Sequence, residues 1–198
     1  MDKAKGSRRS IIDASETYVS RSAYKLESVA TALALDFHNK TVLDVGSSTG
    51  GFTDFALKHG ATMVVAVEKG SNQMAPLLRV NPAVRLFEKT DIRDFQTSST
   101  IDMVLIDVSF ISLREILPHI ALLANKQTII AAMAKPQFEA SDERYLNRGV
   151  IKNERIRRDI LSSLELWLKD SFQIIAKADS KVEGLKGNKE RFYLLKII

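Results

Sequence analysis

Apolar residues recur along this chain with two different periods. Runs at 41–45 (T-V-L-D-V), 62–67 (T-M-V-V-A-V), 84–87 (V-R-L-F), 101–108 (I-D-M-V-L-I-D-V) and 128–134 (T-I-I-A-A-M-A) are apolar at nearly every position. Strands buried on both faces of a parallel sheet read this way. Between them, apolar residues return every three or four positions, which predicts helices over 52–59, 73–80, 113–123 and 153–168. The last of these should bury Ile156, Ile160, Leu164 and Trp167, and the third contains Pro118. An earlier helix is expected within 18–37, with Ser20 as its cap and Ala23, Leu26, Val29, Ala30 and Leu33 on its apolar face. Two more strands, 172–178 and 191–198, are separated by Gly184, Gly187 and Asn188. Strands alternating with helices predict an open, Rossmann-like α/β sheet of seven mostly parallel strands with helices on both faces. Residues 1–17 are polar and read as a flexible basic leader, 18–198 as one domain, and 140–149 as a charged, mobile lid.

The first strand runs straight into a small-residue turn, Gly46, Ser47, Ser48, Thr49, Gly50 and Gly51, and then into a helix opening at Phe52. Such a turn bares backbone N–H groups to a ligand. Its spacing is neither G-x-G-x-x-G nor a phosphate loop. Asp44-x-Gly46-x-x-x-Gly50 is the spacing of S-adenosylmethionine-dependent methyltransferases, and a carboxylate beside the glycines suits a sulfonium better than a pyrophosphate. Glu68 ends the second strand about 20 residues on, where a carboxylate accepts hydrogen bonds from both ribose hydroxyls of an adenosine, with Lys69 beside it. Thr90, Asp91 and Ile92 follow the third strand, at the expected adenine edge. Asp107 and Lys135 leave the fourth and fifth strands at the same rim. Charges placed directly after buried strands are costly unless they are solvated, paired or liganded, so their coincidence points to a site.

Composition narrows the partners. With no cysteine, the chain has neither a disulfide framework nor a thiolate zinc site, which suits a reducing cytoplasm, and no metal is expected. No apolar run approaches the roughly 18–20 residues that span a bilayer, and no signal core follows the first charges. A net charge of +5 favours a polyanionic partner.

Several segments together resemble a known family: Y-V-S-R-S-A-Y-K-L at 18–26, L-D-V-G-S-S-T-G-G-F-T-D at 43–54, I-D-V-S-F-I-S-L at 106–113, K-P-Q-F-E at 135–139 and K-G-N-K-E at 186–190. In this order they are similar to the TlyA-type, haemolysin A-like RNA methyltransferases, relatives of the FtsJ ribose 2′-O-methyltransferases. The resemblance implies a class I methyltransferase sheet whose last strand is antiparallel, S-adenosylmethionine as cofactor, ribosomal RNA or ribosomal subunits as partner, and a ribose 2′-hydroxyl, by family a cytidine's, as acceptor. It also implies a catalytic tetrad of Lys25, Asp107, Lys135 and Glu190. Lys135 would be the base, tuned by burial and by Lys25 as a second cation, while Lys25 and Glu190 orient base and ribose. Asp107 would lie between base and sulfonium. Arg8, Arg9, Arg21, Ser22 and Lys25 would meet RNA. Family members usually carry an S4-type RNA-binding domain ahead of this one; here the expectation is the short leader alone, and Ser22-Ala23 stands where Gly-Gly is more common. The rival expectations are a cofactor-binding protein without autonomous catalysis, a nicotinamide oxidoreductase, and a membrane-active protein.

Overall fold

The computed structural model describes residues 18–198. Strands β1 (Thr41–Val45), β2 (Met63–Val67), β3 (Val84–Phe87), β4 (Met103–Ile106), β5 (Ile129–Ala134), β6 (Phe172–Asp179) and β7 (Arg191–Ile197) form one sheet, in the order β3-β2-β1-β4-β5-β7-β6. β1 to β5 are mutually parallel where they pair, and β7 runs antiparallel to both β5 and β6. The strand order reverses between β1 and β4, so their carboxyl ends part around a crevice. That is where open α/β sheets bind ligands.

The central strands β1, β2, β4 and β5 bury both faces, and their alternate residues feed two separate cores, while the edge strands β3 and β6 expose every second residue. Leu43, Val45, Val65, Val104, Ile106, Ile130 and Ala132 pack on one side with α4 (Leu113–Leu123) and α6 (Glu154–Leu168). Val42, Val64, Ala66, Met103, Leu105 and Ala131 pack on the other with α1 (Arg21–Ala30), α2 (Gly51–Lys58) and the single turn of α3 (Pro76–Arg79). The period-two alternation explains why the runs look uniformly apolar in sequence.

Three helical expectations are corrected. The helix within 18–37 ends at Ala30, and Ala34 turns the chain through a left-handed conformation (φ 48°), yet Leu33 and Phe37 remain buried. The apolar signal thus outlasts the helix. Ser20 occupies the cap position, but its hydroxyl bonds Ser22 Oγ at 2.8 Å instead of a backbone N–H. α3 is one turn started by Pro76, shorter than 73–80. In α6 the buried stripe is Arg157, Ile160, Leu161, Leu164 and Leu168, whereas Ile156 and Trp167 are only half-buried. Trp167 lies at the edge of that face with the Arg114 guanidinium 5.5 Å over its ring, an arrangement that suits an amphipathic indole. Within the expected lid, a 3-10 turn (Glu143–Tyr145) and a bridge between Asn147 and Val150 give the chain definite local structure.

Candidate active site

Gly46 is where β1 leaves the sheet. Its N–H donates to Val67 O at 2.9 Å, its φ is +79°, and a Cβ there would stand 2.7 Å from the carbonyl oxygen of Asp107. Only glycine allows β1 and β4 to end this close together. At Gly51 a Cβ would run into the hydroxyls of Ser20 and Ser22, so this second glycine lets the starts of α1 and α2 touch. Between them, Ser48 (φ 47°) donates its N–H to Glu68 Oε2 at 2.9 Å. Glu68 Oε1 accepts the Gly70 N–H at 2.6 Å. Glu68 Oε1 also accepts from Gln73 Nε2 at 3.5 Å, so Glu68 clasps the glycine-rich turn to the end of β2 and its Oε2 keeps a further lone pair for a ligand hydroxyl.

Two cavities open on this rim. One of about 700 Å³ is lined by Gly46, Ser48, Glu68, Lys69, Thr90, Asp91, Ile92 and Asp107, together with Gln73, Phe110 and Ile111. The second, of about 290 Å³, is lined by Arg21, Ser22, Asp44, Ser47, Thr49, Phe52 and Lys135. Gly46, Ser48, Asp107 and Ser109 belong to both. Gly50 and Gly51 shape the start of α2 and line neither. Asp91 caps the 3-10 turn Ile92–Asp94 and is paired with Arg93 (2.8 Å) and Lys69 (3.1 Å). Its hydrogen bonds from Arg93 hold its carboxyl far below the usual carboxylate range. Arg8 and Arg9 lie outside the described residues, while Arg21 is exposed at the mouth of the second cavity.

Asp44 is the anomaly of this wall. It is 1% exposed, its Oδ2 accepts the Thr53 hydroxyl at 2.6 Å, and its Oδ1 is buried with no hydrogen-bond partner. Burial pushes its pKa up to about 7; Thr53 opposes the shift, and the charges of Asp107 and Glu68 add to it. A lone carboxylate oxygen in such a place calls for a donor, best a cationic one.

The other wall is made of ion pairs. Lys135 Nζ lies 2.6 Å from Asp107 Oδ1 and donates to Ser109 Oγ at 2.9 Å, and the residue is 8% exposed. Lys25 Nζ lies 2.7 Å from Glu190 Oε2, and Glu190 is 2% exposed. The strand register explains how the pairs meet: Ala134 is opposite Arg191 in antiparallel strands, so Lys135 and Glu190, one step further, face each other. Lys25 is one turn along α1 from Arg21 and Ser22. Lys25 and Glu190 line neither cavity, and each lysine has its own carboxylate, an arrangement different from two adjacent uncompensated cations.

Several residues of the site escape a strand-end reading. Ser109 Oγ accepts a hydrogen bond from Lys135 Nζ. Phe110, 89% exposed in a left-handed conformation (φ 65°), puts its ring 5.0 Å from that of Phe138 at the rim. Glu139 accepts the Leu113 N–H (2.7 Å) and the Ser112 hydroxyl (2.6 Å), fixing the start of α4 against the segment that carries Lys135. Asp54 accepts the Val19 N–H at 2.9 Å and so docks the entry to α1. Asn188 accepts the Ile151 N–H and donates to Gly149 O, tying the 147–151 segment to the loop before Glu190. Each lies inside or beside a motif segment, which is a signal, but its partner is remote in sequence.

The profile of the FtsJ-like methyltransferase family matches residues 18–197 of the chain. The protein belongs to that family. Among relatives of this FtsJ-like methyltransferase, "23S rRNA (cytidine-2'-O)-methyltransferase TlyA" of Campylobacter jejuni is 35% identical over 181 residues, 90% of this chain and 71% of that one. "Hemolysin A" of Brachyspira hyodysenteriae is 36% identical over 178 residues, 87% of this chain and 74% of the relative. A solved structure from Streptococcus thermophilus that carries a hemolysin name superposes with a TM-score of 0.87 at 33% identity, covering 91% of this chain and 67% of that one. The seven-stranded sheet with an antiparallel β7 is the class I methyltransferase arrangement. Among the described residues no helix is long and apolar enough to cross a membrane.

Proposed function

We propose that this FtsJ-like protein transfers a methyl group from S-adenosylmethionine to a ribose 2′-hydroxyl of ribosomal RNA. The observation that carries the reading is the shared wall: Asp107 borders both cavities and is paired with the lysine that lines the second. The residues present fit the cofactor. The orphaned Asp44 oxygen suits a cationic donor, the backbone around Gly46 leaves no room for a side chain, and Glu68 retains acceptor capacity. In this reading Asp44, the 46–49 turn and Glu68 hold the cofactor, with Lys69, Thr90, Asp91 and Ile92 around its base. Bound there, it supplies an electrophilic methyl on a sulfonium.

The chain's own residues account for the acceptor side. Lys135, as the neutral amine, takes the 2′-hydroxyl proton at Nζ as the oxygen attacks. The ammonium so formed is the species that Asp107 and Ser109 are placed to hold. Lys25 and Glu190, paired at the start of β7, orient the ribose and fix the geometry of attack. Phe110 offers an exposed aromatic face for a base, and Arg21 a cation for a phosphate, so binding should weaken with salt. The name of the Campylobacter relative favours a cytidine in ribosomal RNA, and a ribosomal substrate implies action in the cytoplasm. The test is transfer of labelled methyl to ribosomal RNA and subunits, followed by nucleoside digestion. The label should be found on a ribose 2′-oxygen; label confined to a base, or none transferred by cofactor-bound protein, overturns the reading.

A further inference from the structure

α6 buries a guanidinium where its stripe of Ile160, Leu161, Leu164 and Leu168 would accept a leucine equally well. Arg157 is 5% exposed. Burying such a group is expensive unless its donors are met, and packing alone would favour an apolar side chain. Two of its nitrogens reach one hairpin, while Nη1 lies 3.9 Å from Glu154 Oε2 on its own helix. Nε donates to Lys189 O at 3.2 Å, and Nη2 donates to Asp179 Oδ1 at 3.0 Å. Asp179 also accepts from Arg191 Nε at 2.6 Å and from its Nη2 at 3.1 Å. The residues on either side of Glu190 are thus held by one network, and Glu190 O accepts the Ser180 N–H at 2.9 Å. Gly184 completes the seat, because a Cβ there would run into Glu190 Oε1.

We propose that Arg157 is a positioning residue for methyl transfer: through Lys189 O and Asp179 it fixes the backbone on both sides of Glu190, and so the direction in which Glu190 meets Lys25. Arg157 lines neither cavity, and its effect is exerted wholly through Glu190. The proposal rests on the methyltransferase reading of the Lys25–Glu190 pair.

The test uses the full chain, the variants Arg157→Met, Arg157→Lys, Asp179→Asn and the exposed neighbour Arg158→Met, and Glu190→Gln alone and combined with Arg157→Met, with two readouts. Amide hydrogen exchange over 180–191 requires no activity. It should quicken in Arg157→Met while the amides of β1 and β4 keep their protection, and unchanged exchange overturns the clamp whether or not methyl is transferred. Single-turnover transfer to ribosomal subunits should fall about tenfold to a hundredfold in Arg157→Met with cofactor affinity unchanged, as expected for a misplaced orienting group. Arg157→Lys should lose less, and Arg158→Met nothing. Adding Arg157→Met to Glu190→Gln should slow transfer no further, because the two act as one unit; full additivity overturns the proposal. Should Arg157→Met fail to fold, Asp179→Asn loosens the same clamp from its solvent side and must show the same pattern. A wild type that binds cofactor and transfers nothing would overturn the function and leave the exchange result to decide the clamp.

Discussion

The two walls of the cleft use different materials. On the β1–β2 side the chain offers backbone: a glycine turn, the Ser48 and Gly70 N–H groups gathered by Glu68, and a buried carboxylate with one oxygen unmatched. On the β5–β7 side it offers side chains already paired in charge, Lys135 with Asp107 and Lys25 with Glu190. The first wall is incomplete without a ligand. In the second each carboxylate already has a cation, and a substrate entering it must compete with existing ion pairs. Substitutions should accordingly act on affinity at the first wall, and on stability and turnover at the second.

The largest effect is expected from Lys25→Met. It strands a nearly buried carboxylate, which typically costs about 3–5 kcal/mol, or roughly 10 °C in melting temperature for a chain of this size. Lys25→Met combined with Glu190→Met should recover most of that stability while transfer stays lost. Recovery of transfer would remove the pair from the reaction. Calorimetric unfolding beside single-turnover assays reads both.

Asp44→Asn comes next, and acts on the other wall. It should weaken S-adenosylmethionine binding about tenfold to a hundredfold by removing a charge-assisted hydrogen bond. Its pH signature has a definite sign. With a folded pKa of about 7 against an ordinary 3.8, Asp44 binds a proton more tightly in the folded cofactor-free protein than in the unfolded chain. Its contribution to stability is complete below about pH 4 and is lost as the pH rises through 7. A cationic ligand requires the carboxylate, so affinity should fall by up to about tenfold per pH unit below 7, and Asp44→Asn should flatten both profiles. Titration calorimetry across pH 5–9 checks this.

Gly46→Ala should be smaller, about 1–3 kcal/mol of stability, from a Cβ meeting Asp107 O and an unfavourable φ. Because it shifts the backbone that both cavities share, cofactor affinity should fall along with melting temperature. Arg144→Ala is the control. Its partner Asp142 is two residues away in an exposed turn, and neither melting temperature nor transfer should change measurably.

The same contrast explains what could be read from the sequence. The glycine-turn wall is local: strand, turn and helix are continuous in the chain, and Asp44 and Gly46 show themselves by composition and spacing. The parallel half of the sheet was equally legible, because uniformly apolar runs leave few alternatives; the antiparallel last strand came with the resemblance. The ion-pair wall joins α1 to the start of β7, and no local pattern links Lys25 to Glu190; only the resemblance named them together. Helix ends were misread where tertiary burial continues past the last turn, as at Leu33 and Phe37. Arg157 was invisible because a charged residue counts against a buried position, and its partners Lys189 and Asp179 meet it only in the folded chain.

The central claim is that one wall binds the cofactor and the other performs the transfer. Lys135→Ala tests it most directly, by single-turnover transfer to ribosomal subunits at saturating S-adenosylmethionine with the dissociation constant measured on the same preparation. The account predicts a loss of about 10²–10⁴-fold in rate, the range for a general base, with cofactor affinity little changed. A near-normal rate, or a loss explained entirely by weaker cofactor binding, would contradict it.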